Sequence, residues 1–110
     1  MIYHLILSDD WQKLLNSNKN TYKAPSLKEV GFIHCSTKDQ LVGSANLYFG
    51  EAQEVVVLGI VEKRIRKLLK WELSRKEELF PHIYGALPIE AIDTIYILSR
   101  NEHGEWELDF

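Results

Sequence analysis

Glu54-Val55-Val56-Val57-Leu58-Gly59-Ile60-Val61 contains an unbroken apolar run at positions 55–58, three of its four residues β-branched. A strand buried on one face alternates apolar with polar residues, so a continuous run predicts a strand covered on both faces. This stretch is therefore read as the central strand of the fold. Upstream, Gly31-Phe32-Ile33-His34-Cys35-Ser36 reads as a second strand. Thr37-Lys38-Asp39-Gln40 follows with the Thr-x-x-Gln spacing of a capping box, opening a helix to about Tyr48. Nearer the N-terminus, residues 2–7 form a short apolar strand that ends at Ser8-Asp9-Asp10, read as the cap of a helix carrying Trp11, Leu14 and Leu15. The polar residues 16–21 read as a loop and a mobile flap, and Ser26-Leu27-Lys28-Glu29 as a helical turn.

Downstream of the central strand, residues 62–67 fit either a helical turn or a loop, and Leu68 to Leu73 fits a strand carrying Trp71 and Glu72. Pro81 and Gly85 make Phe80-Pro81-His82-Ile83-Tyr84-Gly85 read as a rigid loop presenting polar tips. A short helical turn at 87–92 then leads into a strand at 94–98. Residues 101–104 supply a turn, from which 105–110 pairs back as a hairpin. The 110 residues suffice for one domain, residues 1–110, of mixed strand and helix.

Three Trp, five Tyr and four Phe provide much of the burial a small core needs. A net charge of -3 gives no broad positive field, which argues against duplex nucleic acid as a partner. The basic run Lys63-Arg64-Ile65-Arg66-Lys67-Leu68-Leu69-Lys70, five of the thirteen basic residues, reads as a solvated face, with local phosphate contact as the alternative. No apolar run approaches the ~20 residues of a membrane span, and the N-terminus has no basic region of a secretory leader. The expectation is a cytoplasmic protein without a membrane partner. The single Cys35 forms no intramolecular disulfide and reads as a small buried strand residue.

His4, His34 and His82 each sit in a largely apolar strand-like context, which sets them apart from His103 beside a turn glycine. One such histidine is ordinarily a hydrogen-bonded core residue. Three of the four in the chain point to a shared polar site, because each burial must be compensated separately. Glu72 follows Trp71, and alternation turns the two to opposite faces, so one of them meets something other than bulk solvent. A carboxylate near histidines acts as a base, orients a hydroxyl or stabilises positive charge. Ser36, Thr37 and Gln40 lie where a strand enters a helix N-terminus, a setting that favours an anion such as a diphosphate and equally suits plain capping.

Ile2-Tyr3-His4, Trp11, Tyr22, Gly31 to Ser36, Gln40, Ala45-Asn46, Trp71-Glu72 and Phe80 to Gly85 together resemble the small proteins catalogued as domain of unknown function 952. The resemblance implies an α+β fold of the ADP-ribosyltransferase-like superfamily, a compact mixed domain of two apposed β-sheets with flanking helices and an NAD-type cleft. Tyr3-His4 and His34-Cys35-Ser36 are also similar to the Tyr-His and His-x-Ser signatures of RNA 2'-phosphotransferases in that superfamily. Leu5-Ile6 stand where those enzymes carry Gly-Thr, and the Gln-x-Glu or Glu-x-Glu pair of many toxins of the fold is missing.

Carried over by residue, the resemblance makes His4, His34, Ser36, Gln40 and Tyr84 the nucleotide-binding set. Glu72, His34 and His82 become the catalytic set. The implied ligand is NAD or a related nucleotide, with a phosphorylated RNA end as a weaker partner. Glu72 would stabilise the oxocarbenium-like charge of ribosyl cleavage. The alternatives are a noncatalytic module that senses a nucleotide, and a His/Glu metal site, which the scattered histidine spacing does not suggest.

Overall fold

The computed structural model describes all 110 residues as a mixed α and β domain built mostly from antiparallel strands. In chain order the elements are β1 (Ile2–Ile6), α1 (Ser8–Asn16), β2 (Thr21–Tyr22), α2 (Pro25–Val30) and β3 (Ile33–His34). A single 3-10 turn, Lys38–Gln40, leads into α3 (Leu41–Tyr48). There follow β4 (Glu54–Ile60), β5 (Leu69–Leu73), β6 (Leu79–Ile83), β7 (Leu87–Pro88), β8 (Ile92–Arg100) and β9 (Trp106–Glu107). Short 3-10 turns also occupy Glu62–Ile65, Arg75–Glu77 and Ile89–Ala91. Two main sheets form, in the orders β1-β4-β8-β9 and β3-β6-β5, and a third small ladder joins β2 to β7.

The apolar run at 55–58 lies in β4, which pairs with β1 on one side and β8 on the other. Its two faces meet different partners. Val55 and Val57 pack with Leu41 and Ala45 of α3 and with Trp106. Val56 and Leu58 turn to the opposite face with Ile6, covered by Trp11 and Tyr22. On that second face Ile2 and Ile60 also share a core with Ile33 and Ile83 of the three-stranded sheet. Backbone bonds between Tyr3 and Ser36, at 2.9 and 2.8 Å, join the free edge of β1 to the chain leaving β3.

Several boundaries differ from the sequence reading for identifiable reasons. Phe80 to Gly85 is not a loop: residues up to Ile83 form β6, the middle strand of its sheet. Pro81 is tolerated there because it stands opposite Cys35, where β3 has already ended. Cys35 N–H donates to the Pro81 carbonyl at 3.1 Å, and the absent proline N–H simply leaves that bond one-sided. Gly31 does not begin a strand. It closes α2 in the left-handed conformation at φ 90°, its N–H donating to the Leu27 carbonyl.

Ser8 does not cap α1 with its side chain. The helix starts at that residue, and Asp9 and Asp10 complement the positive end of its dipole. The segment expected to be a mobile flap is tied at its far end by the β2–β7 pairing and by a bond from Ile89 N–H to the Asn20 carbonyl at 2.9 Å. Only Trp106 and Glu107 of the tail pair with β8, while Phe110 stacks on Tyr96 at 3.9 Å between ring centroids. The basic run at 63–67 is a turn anchored by buried Ile65, its four charged side chains exposed.

Candidate functional site

Strand register brings the histidines together. β3 and β6 pair antiparallel with His34 opposite His82, so their side chains share a face, while Ile33 and Ile83 beside them point into the core. In the next pairing Lys70 is opposite His82 and Glu72 is opposite Phe80. Glu72 is thus the diagonal neighbour of His82, close enough for a direct contact. Phe32 lies flat on His82, centroids 3.9 Å apart, and meets His34 edge-on at 4.9 Å. The His34 and His82 rings are perpendicular, 5.8 Å apart.

His4 approaches from β1, between Ile2 and Ile6 and opposite Leu58. Its Nδ1 is 2.7 Å from the His34 carbonyl and its Nε2 is 2.9 Å from the Tyr22 hydroxyl. Burial is the main cause that lowers its pKa to about 4, opposed by the backbone bond and assisted by the nearby His34. The neutral ring has one N–H, and a carbonyl only accepts. Nδ1–H therefore donates to His34, and Tyr22 O–H donates to Nε2. Both nitrogens are engaged, so His4 fixes the wall of the site while leaving no ring atom free for a ligand. Replacing Tyr22 with Phe removes a hydroxyl that burial holds in its protonated form. It is expected to lower stability by about 1–2 kcal/mol, read from urea unfolding midpoints.

Glu72 Oε1 lies 2.8 Å from His82 Nδ1 and 2.6 Å from the Tyr84 hydroxyl. These bonds, Tyr84 first and His82 second, hold the Glu72 carboxyl below its ordinary range, and the same contact raises Tyr84. An ionised carboxylate only accepts, so Nδ1 carries the His82 proton and Nε2 is left without a protein partner. Trp71, by contrast, is exposed. Alternation thus turns Glu72 toward its partners and the tryptophan to solvent. With its side chain 39% exposed, Glu72 stays charged readily.

A cavity of about 340 Å³ is lined by residues from both main sheets and all three helices. His4, His34, Ser36 and His82 line it; Gln40, Glu72 and Tyr84 do not. Gln40 Oε1 accepts from Thr37 N–H at 3.0 Å and its Nε2 donates to the Leu79 carbonyl at 2.9 Å, a capping role that also ties α3 to β6. His34 makes no side-chain hydrogen bond. Burial, then His82, then Arg75 lower its pKa, which keeps the ring neutral near pH 7.

Among the lining residues that were not anticipated, Arg75 and Ser44 stand out. Arg75 donates from Nη2 to Ser44 Oγ at 2.8 Å, and Ser44 Oγ is 2.7 Å from Ser36 Oγ. In the sequence Arg75 belongs to Ser74-Arg75-Lys76-Glu77-Glu78, which is indistinguishable from any charged turn. Ser44 looks like an ordinary small residue within a helix. Tyr48 stands exposed at the rim, its ring 5.4 Å from that of His34. Metal binding gains nothing from the arrangement: no group of three or more His, Cys, Asp or Glu side chains is placed to hold an ion. No helix is long and apolar enough to cross a membrane.

The family model described as a protein of unknown function (DUF952) matches residues 5–95. The chain belongs to the DUF952 family. His34, Ser36, Glu72, His82, Arg75 and Ser44 all fall within the DUF952 match, and His4 lies just before it. Among solved structures, the chain is similar to the X-ray crystal structure of protein CC0527 from Caulobacter crescentus. That likeness has 28% sequence identity and a TM-score of 0.79, covering 96% of this chain and 92% of that one. A crystal structure of a double mutant of CC0527 gives the same values. Its solution NMR structure matches at 26% identity and a TM-score of 0.77, over 94% and 89% of the two chains. No curated protein matches. The architecture of CC0527 is thus shared over nearly the whole chain.

Proposed function

We propose that the cleft binds a nucleotide-type ligand of the NAD or ADP-ribose class and that His82 acts on it as a general base in ribosyl or 2'-phospho transfer. The supporting observation is the 2.8 Å contact between Glu72 and His82. It fixes the Nδ1–H tautomer and leaves the Nε2 lone pair for a substrate proton. His34, neutral and without a protein partner, offers a hydrogen bond to a ribose hydroxyl, and exposed Tyr48 beside it offers a stacking surface. Ser36 and His34, with one side-chain donor each, suit the diphosphate and ribose of NAD, whereas Gln40 is already engaged. When bound, NAD would supply the scissile ribosyl bond. The packing of two sheets around one cleft accords with the ADP-ribosyltransferase-like fold, and the free, buried Cys35 with a cytoplasmic location.

A second reading, a noncatalytic nucleotide sensor, is favoured by one observation. Glu72 does not line the cavity, so it acts through His82 and does not itself meet oxocarbenium-like charge. Amide shifts of ¹⁵N-labelled protein, followed with NAD, ADP-ribose, nicotinamide and 2'-phosphorylated RNA ends, test binding; product analysis with the ligand that binds tests turnover. Shifts at His34, Ser36 and His82 with turnover support the enzyme, and the same shifts without turnover support the sensor. No shift with any of the four at millimolar concentration sinks both.

A further inference from the structure

We infer that Arg75, together with the Ser44 and Ser36 hydroxyls, forms the seat of a phosphate group at one end of the cleft. The inference deepens the nucleotide reading and rests on it for the identity of the rest of the ligand. Its basis is a count of donors and acceptors. A guanidinium has five N–H donors, and Arg75 directs only Nη2 to a partner within the chain, Ser44 Oγ at 2.8 Å. Glu62 pairs with the Met1 amino group, Glu72 meets His82 and Glu102 meets His103, and no carboxylate stands within 4 Å of Arg75 to neutralise it. The Phe80 ring, 4.7 Å from the guanidinium carbon, supports one face of the cation and leaves its edge for planar, multidentate contacts.

The two serines sharpen the count. Ser44 is 5% exposed, Ser36 is 4% exposed, and their oxygens are 2.7 Å apart. One hydroxyl proton makes the bond between them, whichever residue donates. Because Ser44 Oγ accepts from Arg75, the other hydroxyl proton has no acceptor in the chain. The unpartnered His34 ring adds one more N–H from the same wall. Unused guanidinium donors, one buried O–H and one imidazole N–H call for a group with several acceptor oxygens and negative charge. A phosphate meets that need better than a carboxylate, having more terminal oxygens to share among three side chains.

Two carboxylates also line the cavity, Asp10 of α1, which acts on Tyr22, and Glu29 of α2. They repel an anion where they stand and favour a group bearing N–H donors. A ligand therefore lies with phosphate toward Arg75 and its base or amide toward α1 and α2. The cavity of about 340 Å³ sits near the lower end of the ~300–1,000 Å³ usual for small-molecule sites. A cavity of that size suits one nucleotide unit, not both halves of a dinucleotide.

Inorganic phosphate, AMP, ADP-ribose and adenosine, titrated into the intact labelled protein in phosphate-free buffer, provide the test. All three phosphate-bearing probes should move the amides of Ser36, Ser44 and Arg75, while adenosine should leave them in place. Arg75→Gln should weaken AMP and inorganic phosphate by at least about tenfold, with Arg75→Lys recovering part of the loss. AMP binding more tightly than ADP-ribose assigns the seat to a terminal phosphate, and the reverse assigns it to a diphosphate; either order supports it. Ser44→Ala is the companion variant should Arg75→Gln prove unfolded by urea titration, and the same weakening is expected. Phosphate probes that bind wild type and the folded variant equally, or that move amides elsewhere, overturn the seat. Adenosine binding to which phosphate adds nothing overturns it too, yet spares the nucleotide reading. Arg75-dependent phosphate binding with no nucleoside or nucleotide bound supports the seat and removes that reading.

Discussion

Acidification from pH 6.5 to pH 4 is expected to lower stability by about 3 kcal/mol through His4 alone. Folded His4 has its pKa lowered to about 4, against an ordinary value of 6.5 in the unfolded chain. Between those values the unfolded state binds the extra proton and the folded state does not. Stability therefore rises with pH across this window, is fully present above it, and is lost as pH falls toward 4. The groups packed against the ring do not reverse the sign. Tyr22 stays protonated, the His34 carbonyl is neutral, and the nearby His34 ring disfavours a second positive charge. A loss of this size is a large part of the ~5–15 kcal/mol that holds a small domain together. Urea titrations at several pH values between 7 and 4, on wild type and His4→Gln, check it. The variant should start less stable at pH 7 and show a flatter profile, so that the two curves converge in acid. Parallel curves would mean that His4 takes up its proton as freely as it does in the unfolded chain.

If the proposed transfer takes place in the cleft, removing the imidazole with His82→Ala is expected to reduce nucleotide turnover by about 10²–10⁴, the usual contribution of a positioned general base. Glu72→Ala should produce a smaller loss with affinity nearly unchanged, because Glu72 meets the ring and not the ligand. Its signature is spectroscopic. In wild type the ¹⁵N shifts of His82 should report one tautomer, protonated at Nδ1; without the carboxylate both tautomers should appear. A merely structural Glu72 would leave the tautomer ratio alone. Since His82 also stacks on Phe32, unfolding midpoints of both variants separate lost chemistry from lost fold. Turnover within tenfold of wild type in folded His82→Ala would exclude this histidine as the base.

What could be read from the chain was whatever depends on pattern. β4 was legible because both its faces are covered, by α3 on one side and by the three-stranded sheet and α1 on the other, which forces an unbroken apolar run. His34 and His82 could be suspected of sharing a site, because imidazoles are rarely repeated in apolar strands. Register could not be read. Only the pairing of β3 with β6 reveals that these two rings face each other. β6 itself was obscured by Pro81 and Gly85, residues that punctuate loops. Pro81 is acceptable in the middle of a sheet solely because its neighbour β3 ends opposite it. Arg75 was invisible for a different reason. A charged turn places its side chains by backbone geometry, and Lys76 and Glu77 adopt positive φ of 54° and 59° just after it, leaving no periodic signature.

The pairings differ widely in how far along the chain they reach. Glu72, His82 and Tyr84 belong to the β5–β6 hairpin and are at most 12 residues apart, whereas His4 and the His34 carbonyl are 30 apart and Ile2 pairs with Ile60. The carboxylate–imidazole contact is local, and the walls of the cavity beside it are not. Loop-closure entropy weighs against the distant pairings by roughly 1 kcal/mol more than against the hairpin. Opening β1 away from β4 would therefore dismantle the cavity while the hairpin kept its carboxylate and imidazole in contact. That contact and the enclosure of the cavity are two separately adjustable properties of this small domain, the first written in a dozen adjacent residues and the second in the whole chain.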